Sequence, residues 1–188
     1  MNHPISLVVS ILSFFFMTNS YAFYMTSTNF ISGHILPNAQ ACEKYGAHRS
    51  PEISWKDAPK GTRSFLLLLE DPDARYTDQP LTRINAHWVL FIPATMDQLP
   101  EDITQYPNIE KKLYQTVNVA KQNSYKGPCP GDSRTHRYIF SLFALNQTIN
   151  QLKQEGLNTN MIRDEVVQLV RNYILATSNL TGLYQQHQ

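Results

Sequence analysis

Three stretches of the chain are apolar in the manner of strands. Ser64-Phe65-Leu66-Leu67-Leu68-Leu69 is a continuous run, bounded by Lys60-Gly61 before it and Asp71-Pro72-Asp73 after it. Such a run, flanked by turn residues, fits a strand buried on both faces. His87-Trp88-Val89-Leu90-Phe91-Ile92, stopped by Pro93, is a second. Arg137 to Leu145 is a third, rich in aromatic and β-branched residues that fit a pleated surface. The pattern predicts three central strands. The period changes toward the C-terminus, where Ile162, Val166, Leu169, Val170, Tyr173 and Ile174 recur at helical spacing. One amphipathic helix is expected there, with Asn160 as N-cap, Asp164 and Glu165 near its positive end and Arg171 toward its negative end. A second helix over Thr148 to Gln154 is possible, and Pro93 to Tyr125 reads as largely irregular.

The first apolar run, Ile5 to Met17, has a different character. It is too short for the ~20 residues of a membrane span. Ser20-Tyr21-Ala22 follows as a small-x-small triplet of the kind signal peptidase cuts. The expected organisation is a signal peptide over residues 1–22 and a single domain over 23–188, periplasmic or secreted, with no integral span after removal of the signal. His3 is the only basic side chain ahead of the run, so the usual positive n-region is missing.

Composition narrows the function class. The 188 residues carry 16 Lys plus Arg against 15 Asp plus Glu, a net charge of +1, which excludes a strongly basic nucleic-acid binder. Hydrophobic residues at 42% and aromatics at 11% supply a core and exclude a disordered chain. Only two cysteines occur, Cys42 and Cys129, and an oxidising compartment would favour a bridge between them. In the chain-entropy model a loop of that length stabilises the fold by roughly 4 to 5 kcal/mol. A free buried thiol or a reactive nucleophile are the rival readings.

Polar residues gather at the ends of the predicted strands. Asp71 and Asp73 follow the first, His87 opens the second, and His136 with Tyr138 opens the third. If neighbouring strands are antiparallel, these ends share one rim of the sheet. Gly127-Pro128-Cys129-Pro130-Gly131 enters just before His136, its glycines permitting close backbone approach and its prolines stiffening the loop. Taken singly, each feature has a structural reading: Asp71-Pro72 is a common turn start, and a strand-end histidine is commonly packed. Trp55 reads as core.

Ser50-Pro51-x-Ile53-x-Trp55, Asp71-Pro72-Asp73-Ala74, His87-Trp88, Gly127-Pro128-Cys129-Pro130 and His136-Arg137-Tyr138 occur in an order that resembles the phosphatidylethanolamine-binding proteins. The bacterial branch described as Raf-kinase-inhibitor-like is the most similar, and Leu180-x-Gly182-x-Tyr184 resembles its closing motif. The resemblance implies a mainly β (α+β) fold, a sandwich-like domain on a large antiparallel sheet with a C-terminal helix. It also implies a shallow anion pocket at one rim, formed by Asp71, Asp73, His87, Gly127, Pro128, His136 and Tyr138, with Cys129 beside it and Tyr184 added. Arg75 after Asp-Pro-Asp-Ala, Gly131 after Pro130, and Val117-Asn118 without a preceding Gly depart from the family pattern.

The expected function is non-enzymatic binding of a small phosphorylated or zwitterionic ligand, such as a phospholipid headgroup, without cofactor or metal. Two bare aspartates would repel a phosphate by about 4 kcal/mol for each unit pair at 4 Å and a dielectric of 20, so their charge must be offset. One Asp could accept backbone N–H groups or orient a histidine, a protonated histidine could donate to the phosphoryl group, and the other Asp could face an ammonium. Affinity would then rise as pH falls. A protein-interaction or inhibitor module using the same rim is the alternative. A metal-dependent hydrolase built on Asp71, Asp73, His87 and His136 is a third reading. No Gly-x-Ser-x-Gly elbow or phosphate-cradling glycine loop is present.

Overall fold

The computed structural model describes residues 22–74 and 84–186. The apolar run at Ile5 to Met17, the cleavage triplet up to Tyr21 and the Arg75 departure lie outside the described residues.

The run at 64–69 becomes the centre of the molecule. β3 (Ser64–Asp71) lies between β4 (Asn85–Pro93) and β7 (His136–Leu145). Two edge strands, β6 (Tyr114–Gln115) beside β4 and β8 (Ile174–Tyr184) beside β7, complete a five-stranded sheet in the order β6-β4-β3-β7-β8. All its pairings are antiparallel. Every residue of β3 is buried because both faces of the sheet are covered, which is why this strand reads as an unbroken apolar run.

One face packs against a smaller antiparallel sheet of β1 (Tyr24–Thr26), β2 (Ile53–Lys56) and β5 (Gln98–Leu99). Phe65, Leu67 and Leu69 from β3, Trp88 and Leu90 from β4, and Phe140 and Leu142 from β7 meet Met25, Ile53, Trp55 and Leu99 in this core. Trp55 is core, its ring edge-on to Phe65 at 5.2 Å. The opposite face, with Leu66, Leu68, Val89 and Phe91, is covered by Leu152, Leu157, Val166 and Val170. These come from α2 (Ile149–Gln154), α3 (Arg163–Val170) and the segment between them. Two sheets with helices on one outer face give the mainly β (α+β) architecture that the sequence predicts.

The expected helix at Thr148 to Gln154 forms, and Thr148 caps it: its hydroxyl accepts from the Gln151 N–H, while the Gln151 side chain accepts from the Thr148 N–H. The C-terminal helix is shorter than its period predicts. Asn160 is not its cap; Ile162 is, with its N–H donated to Glu165 Oε2 at 3.0 Å. The helix ends at Val170, a single 3₁₀ turn follows at Arg171–Tyr173, and Ile174 already starts β8. Residues 178, 180, 182 and 184 are buried in alternation, a strand period hidden behind the apparent helical one. Pairing along β7 from Leu145 to His136 decides the contest, because it satisfies a row of backbone groups that a longer helix would leave exposed on the β7 edge. Within the segment expected to be irregular, β5, β6 and a one-turn helix α1 (Pro107–Glu110) form.

Among the described residues, no helix is long and apolar enough to cross a membrane.

Candidate functional site

The C-terminal end of β3 and the N-terminal ends of β4 and β7 meet at one rim, as antiparallel pairing requires. A register irregularity then shapes that rim. Leu69 pairs with Trp88 but Glu70 pairs with Ala86, so His87 is the extra residue of a β-bulge. Strict alternation from Trp88 would send His87 to the helix-covered face. The bulge turns it instead toward Tyr138, whose ring it meets edge-on at 5.3 Å. His136 meets the same tyrosine, its ring stacked with that of Tyr138 at 6.5 Å.

Asp71 is the hub. Its Oδ1 accepts the backbone N–H groups of Asp73 and Ala74, both at 2.9 Å, so the Asp-Pro-Asp-Ala turn is held by the first aspartate. Its Oδ2 lies 2.9 Å from His136 Nδ1, and the two side chains are only 2% and 3% exposed. This carboxylate therefore both accepts backbone N–H groups and orients a histidine.

Asp73 has a different partner from the ligand ammonium considered above. Arg137 grips both its oxygens, Nη2 to Oδ1 at 2.7 Å and Nε to Oδ2 at 2.8 Å, and the Arg137 N–H adds a third bond at 2.9 Å. That guanidinium holds the Asp73 carboxyl down at a pKa of about 2. Neither aspartate of the motif thus presents an uncompensated charge.

His136 has a second carboxylate on its other nitrogen. Asp132 Oδ1 sits 3.2 Å from His136 Nε2. Arg134 holds the same carboxylate through Nε at 3.0 Å and Nη2 at 2.8 Å, lowering its pKa to about 2. Arg134 also donates to the Asp73 carbonyl at 3.1 Å, which ties the loop before β7 to the turn after β3. Only a ring with a proton on each nitrogen can donate to Asp71 and Asp132 together.

His87 is sealed in, with Nδ1–H donated to the Lys126 carbonyl at 3.0 Å. Burial pushes its pKa below the ordinary histidine value, against the pull of the Asp71 charge and of its backbone hydrogen bonds to Lys126 and Gly127. The Lys126 N–H returns a bond to the His87 carbonyl at 2.9 Å, so the following loop is stitched to β4.

Gly127 explains itself by packing: a Cβ there would fall 2.5–2.6 Å from the Gln40, Ala41 and Cys42 backbone. The Pro128 carbonyl accepts the Cys42 N–H at 3.0 Å, and the Cys42–Cys129 disulfide clamps the same two segments. The expected bridge is thus present, and it stiffens the loop beside the rim. The Cys129 N–H donates to the Tyr138 hydroxyl at 3.3 Å. Tyr184 pairs with His136 in the β7–β8 register, yet its hydroxyl is turned to Asn38 Oδ1 at 3.2 Å and it buries with the core.

The structure therefore brings Asp71, Asp73, His87, Gly127, Pro128, His136 and Tyr138 to one rim, with Tyr184 on the adjoining strand. Asp132, Arg134 and Arg137 were not singled out by sequence reasoning. Arg137 lies within His136-Arg137-Tyr138, but a strand residue between two buried ones reads as solvent-facing. Among the described residues, no three His, Cys, Asp or Glu side chains are grouped so as to hold a metal ion.

A family model described as phosphatidylethanolamine-binding protein matches residues 26–185. A UPF0098 protein of Aquifex aeolicus is 34% identical over 162 residues, covering 85% of this chain and 86% of its own. The UPF0098 protein YbcL of Escherichia coli is 28% identical, over 95% of this chain and 97% of its own. The crystal structure of CT736, a phosphatidylethanolamine-binding protein homologue from Chlamydia trachomatis, superimposes with a TM-score of 0.74 at 26% identity, over 88% of this chain and 99% of that one. The chain belongs to the phosphatidylethanolamine-binding protein family, and that membership supports a binding function.

Proposed function

We propose that the Asp71 and His136 rim binds a small phosphorylated or zwitterionic molecule of the phosphoethanolamine type, without catalysing its conversion. The observation that carries this reading is the Asp132 carboxylate. It is an oxyanion of the chain's own, received by His136 Nε2 and the Arg134 guanidinium in charge-assisted hydrogen bonds. A phosphoryl group offers the same acceptor chemistry with more oxygens and more charge. In this reading the ligand takes the place of Asp132 on His136 and Arg134. His87, Tyr138 and the Gly127-Pro128 backbone wall the site, and Asp132, turned aside, meets the ligand's ammonium.

The repulsion that two bare aspartates would impose is offset because backbone N–H groups, His136 and Arg137 already engage them. Donation from His136 to Asp71 and a ligand at once needs the imidazolium form, so affinity is greater at pH 6 than at pH 8. Histidine-ring NMR tests the assignment of residues. Phosphoethanolamine should shift the ring resonances of His136 and His87; ring signals unchanged at saturating phosphoethanolamine would contradict it.

We further propose that the domain works outside the cytoplasm, on the strength of the Ile5 to Met17 run and the Cys42–Cys129 disulfide. Mass determination of the exported protein should find Phe23 at its N-terminus.

A further inference from the structure

The opposite end of the large sheet carries a cleft of about 360 Å³. It lies among the residue before β3, the turn after β4, the segment joining α1 to β6, and α2. Arg63, Lys111, Lys112 and Lys153 line it, together with Thr95 and Tyr114, and among the described residues no Asp or Glu does. The chain as a whole is nearly balanced at +1, so this enclave is a local asymmetry rather than a reflection of composition.

None of the four cations takes part in an ion pair among the described residues. Lys153 is placed instead over the Tyr114 ring, its Nζ 4.2 Å from the centroid. The Arg63 backbone is fixed at both ends, its N–H on the Leu145 carbonyl at 2.8 Å and its carbonyl accepting from Ala94. Four unpaired like charges around one opening repel one another, and an anion between them relieves that repulsion. They come from three separate segments of the cleft's lining. A ligand with two anionic groups can meet cations from two segments at once. The volume is in the range of small-molecule sites.

We propose that this cleft is a second binding site, for a compact polyanion carrying two phosphate or sulfate groups. It is separate from the Asp71 and His136 rim, because Arg63 precedes the first residue of β3 and Asp71 ends that strand, eight residues on and about 26 Å away at the usual rise per residue.

Inorganic pyrophosphate is the probe, titrated calorimetrically into the full chain at about 20 mM and 150 mM salt, where screening differs strongly. Pyrophosphate should bind, more weakly at the higher salt, and Lys112→Ala or Lys153→Ala should lower its affinity about fivefold or more. Lys112→Arg should retain most of the binding, and His136→Ala should leave the site intact. Absence of pyrophosphate binding, or binding lost in His136→Ala and kept in both lysine variants, would overturn the proposal. So would binding to phosphatidylglycerol vesicles without binding of free pyrophosphate, which would make the cleft a membrane contact. The lysines are exposed, so their variants should fold, and unchanged unfolding midpoints check this.

Discussion

His136 and Asp71 form a buried pair, Nδ1 to Oδ2 at 2.9 Å, that joins the first residue of β7 to the last residue of β3. Because Asp71 also receives two backbone N–H groups, replacing it strands three donors at once. Asp71→Ala should destabilise the fold by about 3 kcal/mol or more, since each buried donor left without an acceptor costs roughly 1 to 3 kcal/mol. Asp71→Asn keeps an acceptor for the turn and should cost less. Both should weaken phosphoethanolamine binding at least about tenfold, since His136 loses its orienting partner. Urea unfolding and calorimetry measure the two effects separately.

Asp132 separates a ligand-competing role from a merely structural one. If the carboxylate occupies the donors a phosphoryl group needs, Asp132→Ala should raise affinity for inorganic phosphate. A carboxylate that helps to bind the ligand's phosphate would give the opposite sign. Phosphate titrations of the two proteins side by side decide it.

The burial of His87 makes a prediction about stability and pH. Its pKa is lower folded than unfolded, so below about pH 6.5 the unfolded chain takes up a proton that the folded one refuses. Its contribution is complete above that pH and declines as pH falls toward the folded value. His87→Gln should therefore lose less stability between pH 7 and pH 5 than the parent does, as read from urea midpoints. Asp73 acts in a different window: with a folded pKa of about 2 against 3.8, its contribution is present above 3.8 and lost below it. Arg137 is solvent-exposed, so Asp73→Asn should cost only about 0.2 to 1 kcal/mol at neutral pH.

The disulfide should matter to both fold and site. Replacing Cys42 and Cys129 together by Ser should lower stability by about 4 to 5 kcal/mol in the chain-entropy model, for a sequence separation of 87. Gly127→Ala should cost about 1 to 3 kcal/mol by overpacking against the 40–42 backbone. Both changes loosen the loop that carries the Cys129 N–H to Tyr138, and weaker ligand binding should accompany the lower unfolding midpoints.

The three interior strands were legible because each is long, apolar and closed by turn residues, as at Asp71-Pro72 and Pro93. The shared rim followed from antiparallel order alone. β8 was not legible, since Tyr173 and Ile174 extend a helical period that pairing with β7 overrides. The short strands at 24–26 and 53–56 leave too few positions for alternation to register. At the site, the motif aspartates and histidines were visible, but their partners were not. Arg137 reads as a solvent-facing strand residue and Asp132 as loop polarity until the turn and the loop are folded together. The bulge at His87 is likewise a register effect, invisible in one strand's own sequence.

The most direct test is calorimetric titration of the protein with phosphoethanolamine at pH 6 and pH 8, beside His136→Ala. Binding at pH 6 that weakens at pH 8 and is lost in His136→Ala is the predicted result. Absence of binding at both pH values, or equal binding by His136→Ala, would contradict the assignment of this rim as the ligand site.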